Sequence, residues 1–185
     1  MVAAGSNLPS KQKGVIAGPD GEFIVSTDVP VVELDPDYII IQTKAVALNP
    51  VDTKLVGDFV TPGCTFGFDV AGVVVAVGSN VTAGWKIGDR VCGSTHGMNK
   101  DSPSGGGFVE YATLGADQTL RIPDTMSFEE AAALGTAVAT SALALFWSLG
   151  IDGKLLEKPA EKPFPVLIYG GSSSTGTMTI QLAKL

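Results

Sequence analysis

Residues 66–81, FGFDVAGVVVAVGSNV, constrain the fold more than any other stretch of the chain. The valines favour a pleated, half-buried strand. Gly67, Gly72 and Gly78 break the run at places where a strand would carry side chains. A glycine inside a strand marks a bulge or the close approach of another backbone. The run therefore predicts a strand at a tightly packed corner, as in a small barrel. Its neighbours agree. KGVIAGPDGEFIVSTDVP reads as a hairpin turning at Pro19-Asp20-Gly21, and YIIIQTKAVALNP as a strand that breaks at Asn49-Pro50. VDTKLVGDF suggests one or two helical turns with Asp52 placed to cap them. GWKIGDRVCG adds a strand, and GMNKDSPSGGGFVEYATL a loop that enters another through Gly105-Gly106-Gly107. Many short strands with glycine turns and little helix, over residues 12–123, predict a barrel or sandwich.

The character changes near residue 127. SFEEAAALGTAVATSALALFWSLG reads as one helix, with Ser127 and Glu130 at capping-box spacing and Gly150 as its stop. Its alanines have high helix propensity, and its small side chains would admit another backbone or a flat cofactor. IDGKLLEKPAEKPFP is a polar, proline-bearing connection. VLIYGGSSSTGTMTIQLAKL then gives a short buried-type strand, a turn at Gly170-Gly171 and an amphipathic helix. That order is how dinucleotide-binding units begin.

Composition narrows the function. With 45% apolar and 17% charged residues, the 185-residue chain can build a packed core. Twelve basic against nineteen acidic residues give −7 with no Lys/Arg cluster, so nucleic acid is not an expected partner. No apolar run reaches bilayer-spanning length, and MVAAGSNLPSKQKG lacks the basic and apolar regions of a secretory signal. No membrane association is expected. Cys64 and Cys92 make no disulfide framework and fit reduced, buried thiols, so the expected location is cytoplasmic.

Six segments then point one way. NPVDTK, GFDVAGVVVAVG, GDRV, GGGFVEYATL, EEAAALG and YGGSSSTGTMTIQLAK stand in the order and spacing of the medium-chain dehydrogenases/reductases. ALNPVDTK, the Phe-Asp-Val-Ala-Gly run and VLIYGGSSSTGTMTIQLAKL carry a closer likeness within the zinc-free branch. There the chain most resembles fungal trans-acting enoyl reductases of polyketide biosynthesis. The resemblance implies an α/β fold. Residues 1–11 would be an N-terminal arm and 12–126 a GroES-like β-barrel catalytic domain. Residues 127–185 would hold the linking helix and the first strand and helix of an incomplete Rossmann domain. It also implies a monomeric, NADPH-dependent enzyme of secondary metabolism that reduces the α,β-double bond of an acyl thioester. The partner would be a highly reducing polyketide synthase or hybrid synthase with its carrier-bound acyl chain.

Zinc-dependent relatives place a cysteine near the start of the NPVD turn and Gly-His-Glu at GFD; this chain has Asn49 and Phe68-Asp69 there. Zinc favours cysteine and histidine ligands. The chain has two well-separated cysteines and one histidine, His96, which reads as a solvated loop residue. No metal is expected. An alkene conjugated to a carbonyl can still be reduced by hydride if the protein aligns the cofactor and hydrogen-bonds the carbonyl oxygen.

By resemblance, Val51, Asp52, Thr53 and Lys54 contact NADPH. Lys54 would act as a hydrogen-bond donor to cofactor or substrate carbonyl, without a proton-transfer role. From the residues alone, the segment is a capped turn with a surface lysine. Ser173, Ser174, Thr175 and Gly176 correspond to the phosphate-contacting turn, with serines at two positions where quinone-oxidoreductase relatives carry glycine. Thr140, Ser141, Ala142, Leu143, Ala144, Leu145, Phe146 and Trp147 correspond to an acyl channel, with Thr140 facing it. From the residues alone, they are ordinary helix packing with Phe146 and Trp147 in the core.

A complete Rossmann domain has about six parallel strands, whereas this sequence carries one strand and one helix of it. A lone VLIY strand would leave hydrogen-bonding edges open. The expectation is therefore a truncated enoyl reductase that binds NADPH poorly and is inactive as this short chain. The alternatives are a non-catalytic GroES-like binding remnant and a zinc-free quinone or enone oxidoreductase.

Overall fold

The valine run becomes β4 (Asp69–Val77), the central strand of a five-stranded antiparallel sheet. The computed structural model describes residues 8–55, 57–153 and 162–185. The chain divides into two units, Met1–Gly135 and Thr136–Leu185.

In the first unit, β1 (Lys11–Ala17) and β2 (Phe23–Pro30) form the expected hairpin, with Gly21 at φ 81° in its turn. β3 (Tyr38–Ala47), β4, β5 (Arg90–Ser94), β6 (Tyr111–Gly115) and β7 (Leu120–Arg121) form the sheet in the order β6-β3-β4-β5-β7. Isolated bridges from Gly14 to Val109 and from Ile16 to Thr65 tie the hairpin to the segments leading into β6 and β4. The barrel-like reading of this region thus holds. β3 carries two register shifts opposite β4, at Ile40/Ile41 and Thr43/Ala45. Close to the second, Gly72 lies so near the β3 backbone that a Cβ would stand 2.2 Å from the carbonyl oxygen of Gln42.

Both faces of β4 are covered. Val70 and Val74 join Ile39, Ile41, Val91 and Leu114 in the larger core. Ala71 and Cys92 on the other side pack with Ile122, Ala131 and Ala132. The second group lies under α2 (Phe128–Ala132), which opens with the predicted capping box. The Glu130 N–H donates to Ser127 Oγ at 3.1 Å, and the Ser127 N–H donates to Glu130 Oε2 at 2.9 Å.

The single helix expected over 127–150 is not continuous. α2 ends at Ala132 and α3 (Gly135–Ala142) begins after a break. The cause is contact with the sheet: a Cβ on Gly135 would stand 2.6 Å from Asp69 Oδ1 and 2.7 Å from the Gly93 carbonyl oxygen. The backbone can sit that close only as glycine.

In the second unit, α3 runs into a π-helical turn at Leu143–Ser148, and Gly150, at φ 65°, stops it as predicted. α4 (Ser174–Leu182) is the expected helix. The strand expected at 166–169 is not formed: the run pairs with nothing among the described residues, and Leu167 and Tyr169 are fully exposed. Apolar β-type sequence supplies only the faces of a strand; the ladder needs neighbours. Most of the polar connection, 154–161, lies outside the described residues. Among the described residues, no helix is long and apolar enough to cross a membrane.

The Gly72 contact gives a test of the packing. Gly72→Ala should destabilise the chain by about 3 kcal/mol, since backbone rather than a flexible side chain would have to move. A urea unfolding midpoint unchanged from wild type would contradict it.

Candidate functional site

The candidate turn 51–54 is almost the whole of α1 (Pro50–Lys54), a five-residue helix with proline at its start. Asn49 precedes it in extended conformation as the N-cap. Asp52 does not cap the helix from outside, as expected, because it sits at the third helical position. From there its Oδ2 accepts the Asn49 N–H at 2.7 Å, and its own N–H donates to the Asn49 carbonyl at 3.0 Å. Asp52 is 3% exposed, whereas Val51, Thr53 and Lys54 are on the surface. The Thr53 hydroxyl donates to the Pro50 carbonyl at 3.1 Å. Lys54 therefore projects from the surface, and Asp52 is the turn's buried anchor.

The Asn49 side chain reaches the other way. Its Nδ2 donates to Asp69 Oδ2 at 2.8 Å, and the Ser94 hydroxyl donates to Asp69 Oδ1 at 3.0 Å. Asp69 is 2% exposed. The positions compared above with zinc ligands thus meet through a hydrogen bond. Among the described residues, no group of three or more His, Cys, Asp or Glu could hold a metal ion. Burial pushes the Asp52 carboxyl above its ordinary value, and the Asp69 charge adds to this; the N–H groups of Asn49 and Gly67 oppose them. Burial, with the Asp69 charge second, pushes the Cys92 thiol up to about 11. Cys92 is therefore a packed thiol and no nucleophile. Sequence reasoning missed Asp69 and Ser94 as parts of the site. The available signal was an acid opening an otherwise apolar strand.

Asn49, Asp52 and Thr53 are also among the residues lining a cavity of about 750 Å³, whose apolar walls include Phe23, Val25, Val46 and Leu48. A smaller, polar pocket of about 270 Å³ is lined by Tyr38, Ser94, His96 and Gln118 among others. His96 is exposed, as expected for a loop residue.

In the second unit, Ser173 is the N-cap of α4. Its hydroxyl donates to the Gly170 carbonyl at 2.8 Å and accepts the Gly176 N–H at 3.0 Å. Gly176 is required, since a Cβ there would stand 2.2 Å from the Gly170 oxygen. Ser174 is exposed and Thr175 half-buried. Within the helix compared with an acyl channel, Ser141 is buried and bonded to α4. Its hydroxyl donates to the Thr175 carbonyl at 3.1 Å and accepts from Thr179 Oγ1 at 2.9 Å. Leu145 is also buried, whereas Thr140, Leu143 and Trp147 are exposed and Ala142, Ala144 and Phe146 intermediate. Trp147, at 83% exposure, is not the core residue that helix packing suggested; it follows Leu143 by four positions on a face no described residue covers.

Asp52 predicts a pH effect of definite sign. Its folded-state value lies above the model-peptide value of 3.8, so its contribution is full below that range and lost as pH rises through the raised value. Asp52→Asn keeps an acceptor oxygen but cannot ionise. Its stability relative to wild type should therefore increase from about pH 4 towards about pH 7. Urea unfolding across that range checks this; a constant or falling difference would refute the assignment.

The comparisons with known proteins follow this geometry. The alcohol dehydrogenase GroES-like domain family matches residues 35–124. The trans-enoyl reductase buaC of Petromyces alliaceus is 62% identical over 178 residues, covering 96% of this chain and 50% of that protein. The trans-enoyl reductase ccsC of Aspergillus clavatus is 47% identical over 182 residues, again 96% of this chain and 50% of that protein. The quinone oxidoreductase from Coxiella burnetii superposes with a TM-score of 0.62 at 27% identity, covering 94% of this chain and 53% of that one. The chain spans about half the length of the curated relatives it matches. Residues 35–124 carry the alcohol dehydrogenase GroES-like domain, and the chain is similar to fungal trans-enoyl reductases over half their length.

Proposed function

We propose that residues 1–185 are the GroES-like and leading Rossmann part of an NADPH-dependent trans-enoyl reductase. Its substrate would be an α,β-unsaturated polyketide acyl thioester carried by a highly reducing or hybrid synthase in the cytoplasm. The observation that carries this reading is α1. Buried Asp52 anchors it, and Thr53 and Lys54 are left on the surface at the family's NPVDTK motif. NADPH, when bound, supplies hydride to the β-carbon of the conjugated double bond. The chain's own part is to hold and orient. Lys54 donates a hydrogen bond to a cofactor or substrate oxygen, and Val51 and Thr53 flank it.

The residues of α4 fit one portion of the cofactor. Ser174, Thr175 and the first N–H groups of a nine-residue helix offer donors suited to a phosphate. Ser173 supports them as the cap, and Gly176 keeps the turn tight. Exposed Thr140, Leu143 and Trp147 suit an acyl chain, while Ser141 and Leu145 serve as packing. The cytoplasmic assignment rests on two buried, unpaired cysteines.

A second reading is a binding module without catalysis. The 185-residue polypeptide by itself should show no micromolar affinity for NADPH in calorimetry and no reduction of a crotonyl thioester. Saturable micromolar binding with turnover would remove this reading.

The enzyme reading is tested in a chimera that replaces the matching half of the Petromyces alliaceus relative with residues 1–185. It should oxidise NADPH with an enoyl thioester in preference to a quinone. Lys54→Ala should lower kcat/KM about tenfold, the scale of one lost charged hydrogen bond. A preference for quinones, or no effect of Lys54→Ala, would overturn it.

A further inference from the structure

α1 is too short to orient itself. Its five residues are closed by the Leu55 N–H donating to the Val51 carbonyl at 3.2 Å, and helices of this length have no stability of their own. The direction in which Thr53 and Lys54 emerge is therefore set by what holds the N-cap. Asn49 is held at two points: its backbone N–H is bound by Asp52 Oδ2 at 2.7 Å, and its Nδ2 donates to Asp69 Oδ2 at 2.8 Å. The first bond lies inside the turn and moves with it. The second ties the turn to the sheet at Asp69, beside the contact that Asp52 makes with the Gly67 N–H just ahead of β4. Asp69 is itself fixed as the opening residue of β4, in register with Ala47 of β3 and Ser94 of β5 and hydrogen-bonded by the Ser94 hydroxyl.

We propose that Asp69 is a positioning residue that acts through the Asn49 amide to fix α1 in the orientation in which Val51–Lys54 meet a nicotinamide dinucleotide. The inference rests on the reading of this turn as a cofactor contact. It assigns the turn's orientation to a sheet residue that never touches the ligand.

The polarity of the bond supplies the test. Asn49→Ser leaves a residue that N-caps well but loses the amide that reaches Asp69. Asn49→Asp sets two carboxylates against each other. Adding Asp69→Asn to Asn49→Asp restores one hydrogen bond with donor and acceptor exchanged. Amide hydrogen exchange at Asp52 and Leu55 in the 185-residue chain should accelerate about tenfold in N49S and N49D, and return close to wild type in N49D/D69N.

Amide chemical shifts followed during titration with millimolar NADPH should move at Thr53 and Lys54 in wild type and in the double variant. They should move much less in the single variants. Cooperative urea unfolding checks each protein, and N49S carries the comparison if N49D does not fold. Equal exchange rates in all variants, or no recovery in the double variant, would overturn the positioning role. The expected exchange pattern without any NADPH shift at residues 51–54 in wild type would instead defeat the cofactor reading of the turn, and with it the functional half of the proposal.

Discussion

One asparagine between two buried carboxylates organises the GroES-like unit. Asp52 and Asp69 are both almost fully buried, and the Asp69 charge adds to the cost of ionising Asp52. Such a pair is tolerated only if donors compensate it. Asn49 supplies one donor to each, its backbone N–H to Asp52 and its amide to Asp69. Because neither donor is charged, the site gains order without an ion pair. The end of β3, the start of β4 and α1 are thereby joined by bonds that cannot shift independently, and the Ser94 hydroxyl brings in the end of β5. The same field reaches Cys92, whose thiol is held protonated.

Backbone proximity is the second constraint. Gly72 lets β3 and β4 approach where the β3 register shifts, and Gly135 lets the chain touch the carboxylate of Asp69 and the carbonyl of Gly93. The latter contact explains why an alanine-rich segment with strong propensity is nevertheless cut into α2 and α3. Propensity acts residue by residue, at a few tenths of a kcal/mol each. A steric contact with backbone admits no such averaging. The break falls where the sheet needs it.

What was legible in the sequence follows from this division. Local signals were read correctly: the Pro19-Asp20-Gly21 hairpin, the Ser127–Glu130 capping box and the Gly150 stop all depend on neighbours in the chain. The misjudged elements depend on distant partners. Val166–Tyr169 has the composition of a buried strand, but composition cannot supply a ladder. Ser141 looked like any small helical residue until Thr179 and the Thr175 carbonyl were found bonded to it. Asp69 was weighed only as a ligand the chain lacks; that it accepts from both Asn49 and Ser94 could not be read from positions 20 and 25 residues apart.

The two candidate contact segments share a device that changes which residues can select a ligand. At α1 the cap residue Asn49 spends its side chain on Asp69, and at α4 the cap residue Ser173 spends its hydroxyl on Gly170 and Gly176. The Ser173 hydroxyl has no proton left to give to an incoming oxygen, while the Asn49 amide has one of its two N–H donors engaged. The serine at 173 is engaged within the turn by its bonds to Gly170 and Gly176. It replaces backbone freedom with a fixed cap and stiffens the turn around Gly176. On the proposed reading, recognition falls to residues just inside each helix, Lys54 at one and Ser174 and Thr175 at the other, behind caps already held within the protein.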